Sequence, residues 1–177
     1  MKRIGILSDT HGYLHSRVRD FLSVTEEIWH AGDIGSVALA EELEKFKPLI
    51  AVYGNIDDYN LRLRYKEYRV FQVEGFTVLL QHIGGYPGKY TSETKERIRL
   101  HHPGIVVCGH SHILKIQFDK QFNHLHINPG AAGSYGMHRF ITAARLVLDH
   151  SEIRDVEILE IPRTGNAGRA KKQDELL

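Results

Sequence analysis

Asp9-Thr10-His11, Gly32-Asp33, Gly54-Asn55, His82 and Gly109-His110-Ser111-His112 set two carboxylates, one amide and four imidazoles along the first two thirds of the chain. Each group follows a short apolar run: Arg3 to Ser8, Ile28 to Ala31, Leu49 to Tyr53, Phe76 to Gln81 and Ile105 to Cys108. Carboxylate and amide oxygens with imidazole nitrogens suit manganese, iron or zinc better than calcium. Seven such groups gathered at one place form a cluster too polar to stand without a cation. A pair of cations there can clamp an oxyanion and ionise water, which is the equipment of metal-assisted hydrolysis.

Taken singly, most of these motifs are weak. Gly32-Asp33 and Gly54-Asn55 are ordinary turn dipeptides, and His82, just before Gly84-Gly85, reads equally well as a loop residue. Gly109-His110-Ser111-His112 is the strongest, because two imidazoles released by a glycine from a buried strand rarely serve packing. The joint signal comes from position, since every group falls at the end of a strand-like run. Parallel strands bring those ends to one edge of a sheet, where open α/β sheets build ligand sites. His30, three residues before Asp33, is a candidate for hydrogen-bonded support of that loop, and Asp57 for orienting a neighbour of Asn55. His15, His101, His102, His124, His126, His138 and His150 hold no recurring strand-end position and read as structural or surface groups.

The elements that must position these residues are legible in outline. Alternating strands and helices in the first half give an α/β pattern. Helices are expected over about 16–24, with Val18, Phe21 and Leu22 on one face, and over 37–46, closed by Pro48. Strands 68–73 and 76–81 meet at Glu74-Gly75, a tight hairpin signal. A third helix starts from Thr91 or Ser92 as N-cap and stops at Pro103-Gly104. Further strands are expected over about 113–119, 125–128, 141–148 and 156–161, with Asn128-Pro129-Gly130 as a backbone-rich loop. The economical assembly is two sheets face to face with helices outside, in one domain over 1–162, followed by a polar, frayed tail over 163–177. Arg62, Arg64, Lys66 and Arg69 make a local positive stretch, read as a solvated face able to steer a phosphate-bearing ligand.

The 177 residues allow one domain with a real core, at 42% apolar and 25% charged content. A formal charge of +1 calls for neither nucleic acid nor an anionic membrane. Cys108, the single cysteine, excludes an internal disulfide framework and reads as a small buried hydrophobe. With no secretory signal or span-length apolar run, the expectation is a cytoplasmic protein. Pairing into a homodimer is left open.

In this order the motifs resemble those of the calcineurin-like metallophosphoesterase superfamily: Asp-x-His, Gly-Asp, Gly-Asn-His-Asp/Glu, a lone His, then Gly-His-x-His. The counterparts are Asp9-Thr10-His11, Gly32-Asp33, Gly54-Asn55-Ile56-Asp57, His82 and Gly109-His110-Ser111-His112. The short chain and its compact spacing are most similar to the small YfcE-type phosphodiesterases, a subgroup related to the retromer scaffold subunit. The resemblance implies a β-sandwich flanked by helices, a four-layer α/β/β/α fold. It implies two divalent cations, manganese first, with zinc, iron, nickel or cobalt as alternatives. One would be held by Asp9, His11, Asp33 and His112, the other by Asp33, Asn55, His82 and His110, with Asp33 bridging. The implied reaction is hydrolysis of a phosphate ester, a diester above a monoester, by a metal-bridging hydroxide. The implied catalytic set is Asp33, Asn55 and His110, to which the residues themselves add Asp57 and His30. The alternative is a non-catalytic binding protein on the same fold. Ile56 departs from the pattern: it stands where the superfamily usually has His, and it can neither give nor take a proton.

Overall fold

The computed structural model describes residues 1–163. The expected tail falls outside the described residues, apart from Arg163. Period-two burial builds the strands. In β1 (Lys2–Leu7), Ile4 and Ile6 point into the centre of the molecule, while Leu7 joins the opposite layer. In β5 (Phe76–Gln81), Val78 and Leu80 face the centre and Leu79 faces away.

One five-stranded sheet takes the order β10 (Glu152–Pro162), β9 (Phe140–Asp149), β1, β2 (Glu27–His30), β3 (Leu49–Ala51). Its β1, β2 and β3 are parallel, with Ile6 level with Trp29 and Trp29 with Ile50. The other sheet runs β4 (Tyr68–Val73), β5, β6 (Ile105–Val107), β8 (His124–Pro129), β7 (Leu114–Asp119). Here β5, β6 and β8 are parallel, while β4 and β7 run against them.

Between the sheets lies the main core, with Ile4, Ile6, Trp29, Val78, Leu80, Val107, Ile127 and Leu146 buried together. Each such side chain contributes about 1.5–3 kcal/mol when fully removed from water. Helices α1 (Ser16–Leu22), α2 (Val37–Phe46) and α3 (Tyr59–Arg64) add Val18, Leu22, Leu39, Leu43 and Leu61 to a second cluster on the outer face of the first sheet. Helix α4 (Ser92–His101) sets Ile98 beside Leu79, Val106 and Cys108 on the outer face of the second. The result is the expected four-layer arrangement, helix, sheet, sheet, helix.

Thr91 is the N-cap of α4, its hydroxyl accepting from Thr94 N. The hairpin at Glu74-Gly75 has both residues at positive φ, 45° and 84°, as a tight two-residue turn demands. Cys108 is free and buried, and burial pushes its thiol up to about 12. Helix α3, which the positive stretch concealed, begins at Asp58, whose carboxylate accepts from Leu61 N. Strand β10 starts four residues earlier than the apolar pattern suggested. Its pairing with β9 extends through charged positions across an irregularity between Ile153 and Asp155. No helix among the described residues is long and apolar enough to cross a membrane.

Candidate metal centre

The carboxyl ends of β1, β2, β3, β5 and β6 lie at one edge, and backbone bonds stitch the loops that leave them. Asp9 N donates to Gly32 O at 3.0 Å, His11 N to Asp33 O at 3.0 Å, and Gly109 N to His82 O at 2.9 Å. These loops bring all seven expected ligands together. The ligand atoms of Asp9, His11 and His112 lie within 4.8 Å of one another, as do those of Asp9, Asp33 and His82. His11 Nε2 and His112 Nε2 stand 3.4 Å apart. Asn55 Oδ1 lies 3.0 Å from His82 Nε2 and 2.8 Å from His110 Nδ1, which ties the remaining ligands to the same cluster.

The backbone is strained to achieve this. Asp9, His11, Asp33, His110 and His112 all have φ between 48° and 68°. A non-glycine residue in that left-handed region costs on the order of 1–3 kcal/mol and persists where the surroundings over-determine it. Gly54 and Gly109 are among the glycines required by space. A Cβ on Gly54 would lie 2.0 Å from Asp33 Oδ1, and one on Gly109 would lie 2.0 Å from Ser8 Oγ.

Hydrogen bonding shows why the cluster suits a cation. His82 Nδ1 lies 2.7 Å from Ala31 O and can only donate to it. The neutral ring therefore turns the lone pair of Nε2 toward two further acceptors, Asn55 Oδ1 and, at 3.3 Å, Asp33 Oδ1. Three acceptors facing one another are repulsive until a proton or a metal ion stands between them. Asp9 Oδ1 is buried without a hydrogen-bond partner, although His112 Nε2 lies 3.1 Å away. An orphaned buried carboxylate oxygen is costly, and a cation would satisfy it. The donor set thus fits divalent metal.

The charges agree. Burial pushes the Asp9 carboxyl up, but His112 and His82 outweigh it and hold the group below the usual range. Burial is likewise opposed at Asp33, by His82 and by the Ile56 amide, so Asp33 too is held low. At His82 burial favours the neutral ring, yet Asp33 and Asp9 raise its affinity for a proton. Burial lowers that of His11 in spite of the same two carboxylates.

His30 is fully buried, and burial drops it to about 3, so it is neutral. Gly32 N donates to its Nδ1, which leaves Nε2–H for Thr10 Oγ1 at 2.9 Å. Thr10 Oγ1 in turn donates to Ile34 O. Asp57 is buried too: it accepts from Gly54 N (2.8 Å), Gly35 N (2.8 Å) and Ile34 N (3.2 Å) and so clamps the Asp33 loop to the Asn55 loop. Asn128 Nδ2 donates to Gly109 O and Ser111 Oγ, pinning the two-histidine loop. Ile56 is half exposed, and its amide donates to Asp33 Oδ1.

Sequence reasoning passed over three neighbours of the cluster. His138 packs 5.3 Å from the His112 ring, with its Nε2 3.0 Å from Gly133 O. The exposed Tyr135 lies 5.1 Å from the His11 ring. Both sit in a loop with no strand-end signal. Arg62, read as a solvated cation, reaches back to the carbonyls of Asn55 and Asp57.

Comparison with known proteins agrees with the geometry. A probable metallophosphoesterase of Methanothermobacter thermautotrophicus is 32% identical over 114 residues, 62% of this chain and 66%, just under two thirds, of that protein. A predicted phosphoesterase of Streptococcus pneumoniae shares the fold at TM-score 0.67 and 23% identity, over 90% of this chain and 89% of its own. Vps29 of Entamoeba histolytica, solved in complex with zinc, superposes at TM-score 0.70 and 16% identity, over 90% and 98% of the two chains. The family model for the calcineurin-like phosphoesterase superfamily domain matches residues 1–151. The chain belongs to the calcineurin-like phosphoesterase superfamily.

Proposed function

We propose that this protein hydrolyses phosphodiesters with two divalent cations, manganese foremost, held by Asp9, His11, Asp33 and His112 on one side and Asp33, Asn55, His82 and His110 on the other. The observation that carries the reading is the convergence of these seven groups, with lone pairs facing one another and one buried carboxylate oxygen unpaired. When bound, such cations supply the charge that polarises a phosphate and make hydroxide available near neutral pH. Asp33 lies between the two sets, and its negative charge would offset repulsion between the cations. As neutral ligands the imidazoles would leave the positive charge uncancelled. Asp57, His30 and Asn128 fix the loops on which the ligands stand, with every bond directed at backbone or Thr10 and Ser111.

Diesters with stable leaving groups are favoured, because Ile56 cannot protonate a departing oxygen. His30, buried and neutral with both ring nitrogens engaged, serves as a support rather than a donor. The test is hydrolysis of bis(p-nitrophenyl) phosphate after chelation and return of manganese, zinc, iron, nickel or cobalt, with p-nitrophenyl phosphate compared at equal loading. Restored turnover with diester ahead of monoester is expected; no rescue by any metal would refute it.

A binding role without chemistry is the second reading, favoured by the Vps29 structures among the fold neighbours. It would need no ligand set, whereas all seven positions here carry one.

A further inference from the structure

Beside Asn55 and His82 opens a cavity of about 340 Å³, lined also by Tyr53, Arg62, Ile83 and Arg97. Its two arginines differ in their partners. Arg97 bonds to the Glu67 carboxylate and to Gln81 Oε1 and stacks on Tyr68, so a carboxylate offsets its charge. Arg62 makes its hydrogen bonds to backbone alone. Its Nε donates to Asp57 O at 2.7 Å, its Nη2 to Asn55 O at 2.9 Å, and its guanidinium lies 4.9 Å from the centre of the Tyr53 ring. Among the described residues no carboxylate pairs with it, although Arg64, two positions along α3, bonds to Glu44.

A guanidinium has five N–H donors, and here two hold the group in place while three stay free. Its long side chain is thereby ordered before any ligand arrives, so an anion meeting it forgoes much of that entropic cost. The carbonyl it grips belongs to Asn55, so it stands one residue's reach from the metal centre.

We propose that Arg62 contacts the phosphoryl group of the substrate, a phosphate ester, from the cavity side of Asn55 and His82. It supplies charge-assisted hydrogen bonds to a phosphoryl or leaving-group oxygen on the border where Ile56 can offer none. The proposal rests on the phosphoesterase reading, but its test does not need turnover. Glu67 and Glu93 also line the cavity; Glu67 is engaged by Arg97, and Arg62 prevails over Glu93 for a phosphoryl oxygen because it adjoins Asn55, whereas Glu93 belongs to α4.

The experiment titrates inorganic phosphate into the manganese-loaded protein by calorimetry, for wild type, Arg62→Met and Arg62→Lys, with manganese affinity measured separately in each. Methionine keeps an apolar stem over Tyr53; lysine keeps the charge and loses the fork. The expected result is phosphate binding weakened about ten-fold in Arg62→Met and less in Arg62→Lys, with manganese affinity changed less than two-fold. Phosphate affinity that is unchanged, or that falls only in step with manganese affinity, would reduce Arg62 to a brace for the Asn55 turn and overturn the proposal, as would a wild type that binds no phosphate. Where esters are turned over, Arg62→Met should slow phenyl esters more than 2,4-dinitrophenyl esters, because the poorer leaving group leans harder on the cation. If no ester is hydrolysed while the phosphate titration still separates the variants, the hydrolase reading fails and the Arg62 contact stands.

Discussion

Replacing Asp57 by alanine removes a side chain that ties the Asp33 and Asn55 loops together beside the bond from Ile56 N to Asp33 Oδ1. Its two oxygens accept three amide hydrogens, from Gly54, Gly35 and Ile34, across 2.8, 2.8 and 3.2 Å. Bonds between an amide and a charged acceptor contribute about 1.5–3 kcal/mol each, and a buried donor left bare costs about as much. The Gly54 and Ile34 amides are buried with their bonds, whereas the Gly35 bond is partly open and water can replace the lost carboxylate. Two unreplaced bonds put the loss of stability at about 3–6 kcal/mol, a large share of what a domain this size has. Urea unfolding of the metal-free protein should therefore show a lower midpoint at an unchanged slope. Asp57→Asn should recover part of the loss, because its single oxygen still accepts while its amide confronts another N–H. A change below about 1 kcal/mol for the alanine variant would refute the clamp, since bonds of this kind cannot cost so little when broken.

Gly54→Ala would drive a Cβ to within 2.0 Å of Asp33 Oδ1; manganese affinity by calorimetry should fall at least about ten-fold, as for loss of a support to a ligand. His30 and His126 are held neutral by burial, at about 3 and about 4 against 6.5 for a free ring. The unfolded chain takes up their protons first, so metal-free stability is full above pH 6.5 and falls below it. The loss is about 1.4 kcal/mol for each ring by pH 5.5, visible in melts at pH 7.5 and 5.5; equal stability at both would contradict the burial argument. Ile56→His introduces a proton donor at a half-exposed position. Turnover of phenyl esters should rise about ten-fold or more relative to p-nitrophenyl esters, and an unchanged ratio would show that the side chain there does not meet the leaving group.

What the sequence made legible was periodic or punctuated. β4 and β5 end where the alternation ends, and α2 runs from Val37 to Phe46 because Pro48 and the spacing of Ala40 and Leu43 leave no other frame. The residues that converge at the candidate site were legible because each follows an apolar strand whose end is marked by glycine or by its own polarity. Helix α3 was hidden because it is six residues long and buries only Leu61, so it carries no apolar stripe. The left-handed backbone at Asp9, His11, Asp33, His110 and His112 could not be read either, since aspartate and histidine enter it more often than most residues but still rarely. That conformation is imposed by the bonds between loops, as when His11 N meets Asp33 O. Arg62 is exposed, as a solvated charge should be; its brace to the Asn55 and Asp57 carbonyls was hidden because backbone partners leave no mark in composition.

Whether one pocket holds paired ions is decided by anomalous diffraction from crystals grown with manganese. Two manganese peaks per chain are expected, one among Asp9, His11 and His112 and the other among Asn55, His82 and His110, with Asp33 touching both. Manganese-grown crystals with no peak at this cluster, or with the ions bound elsewhere on the chain, would contradict that expectation.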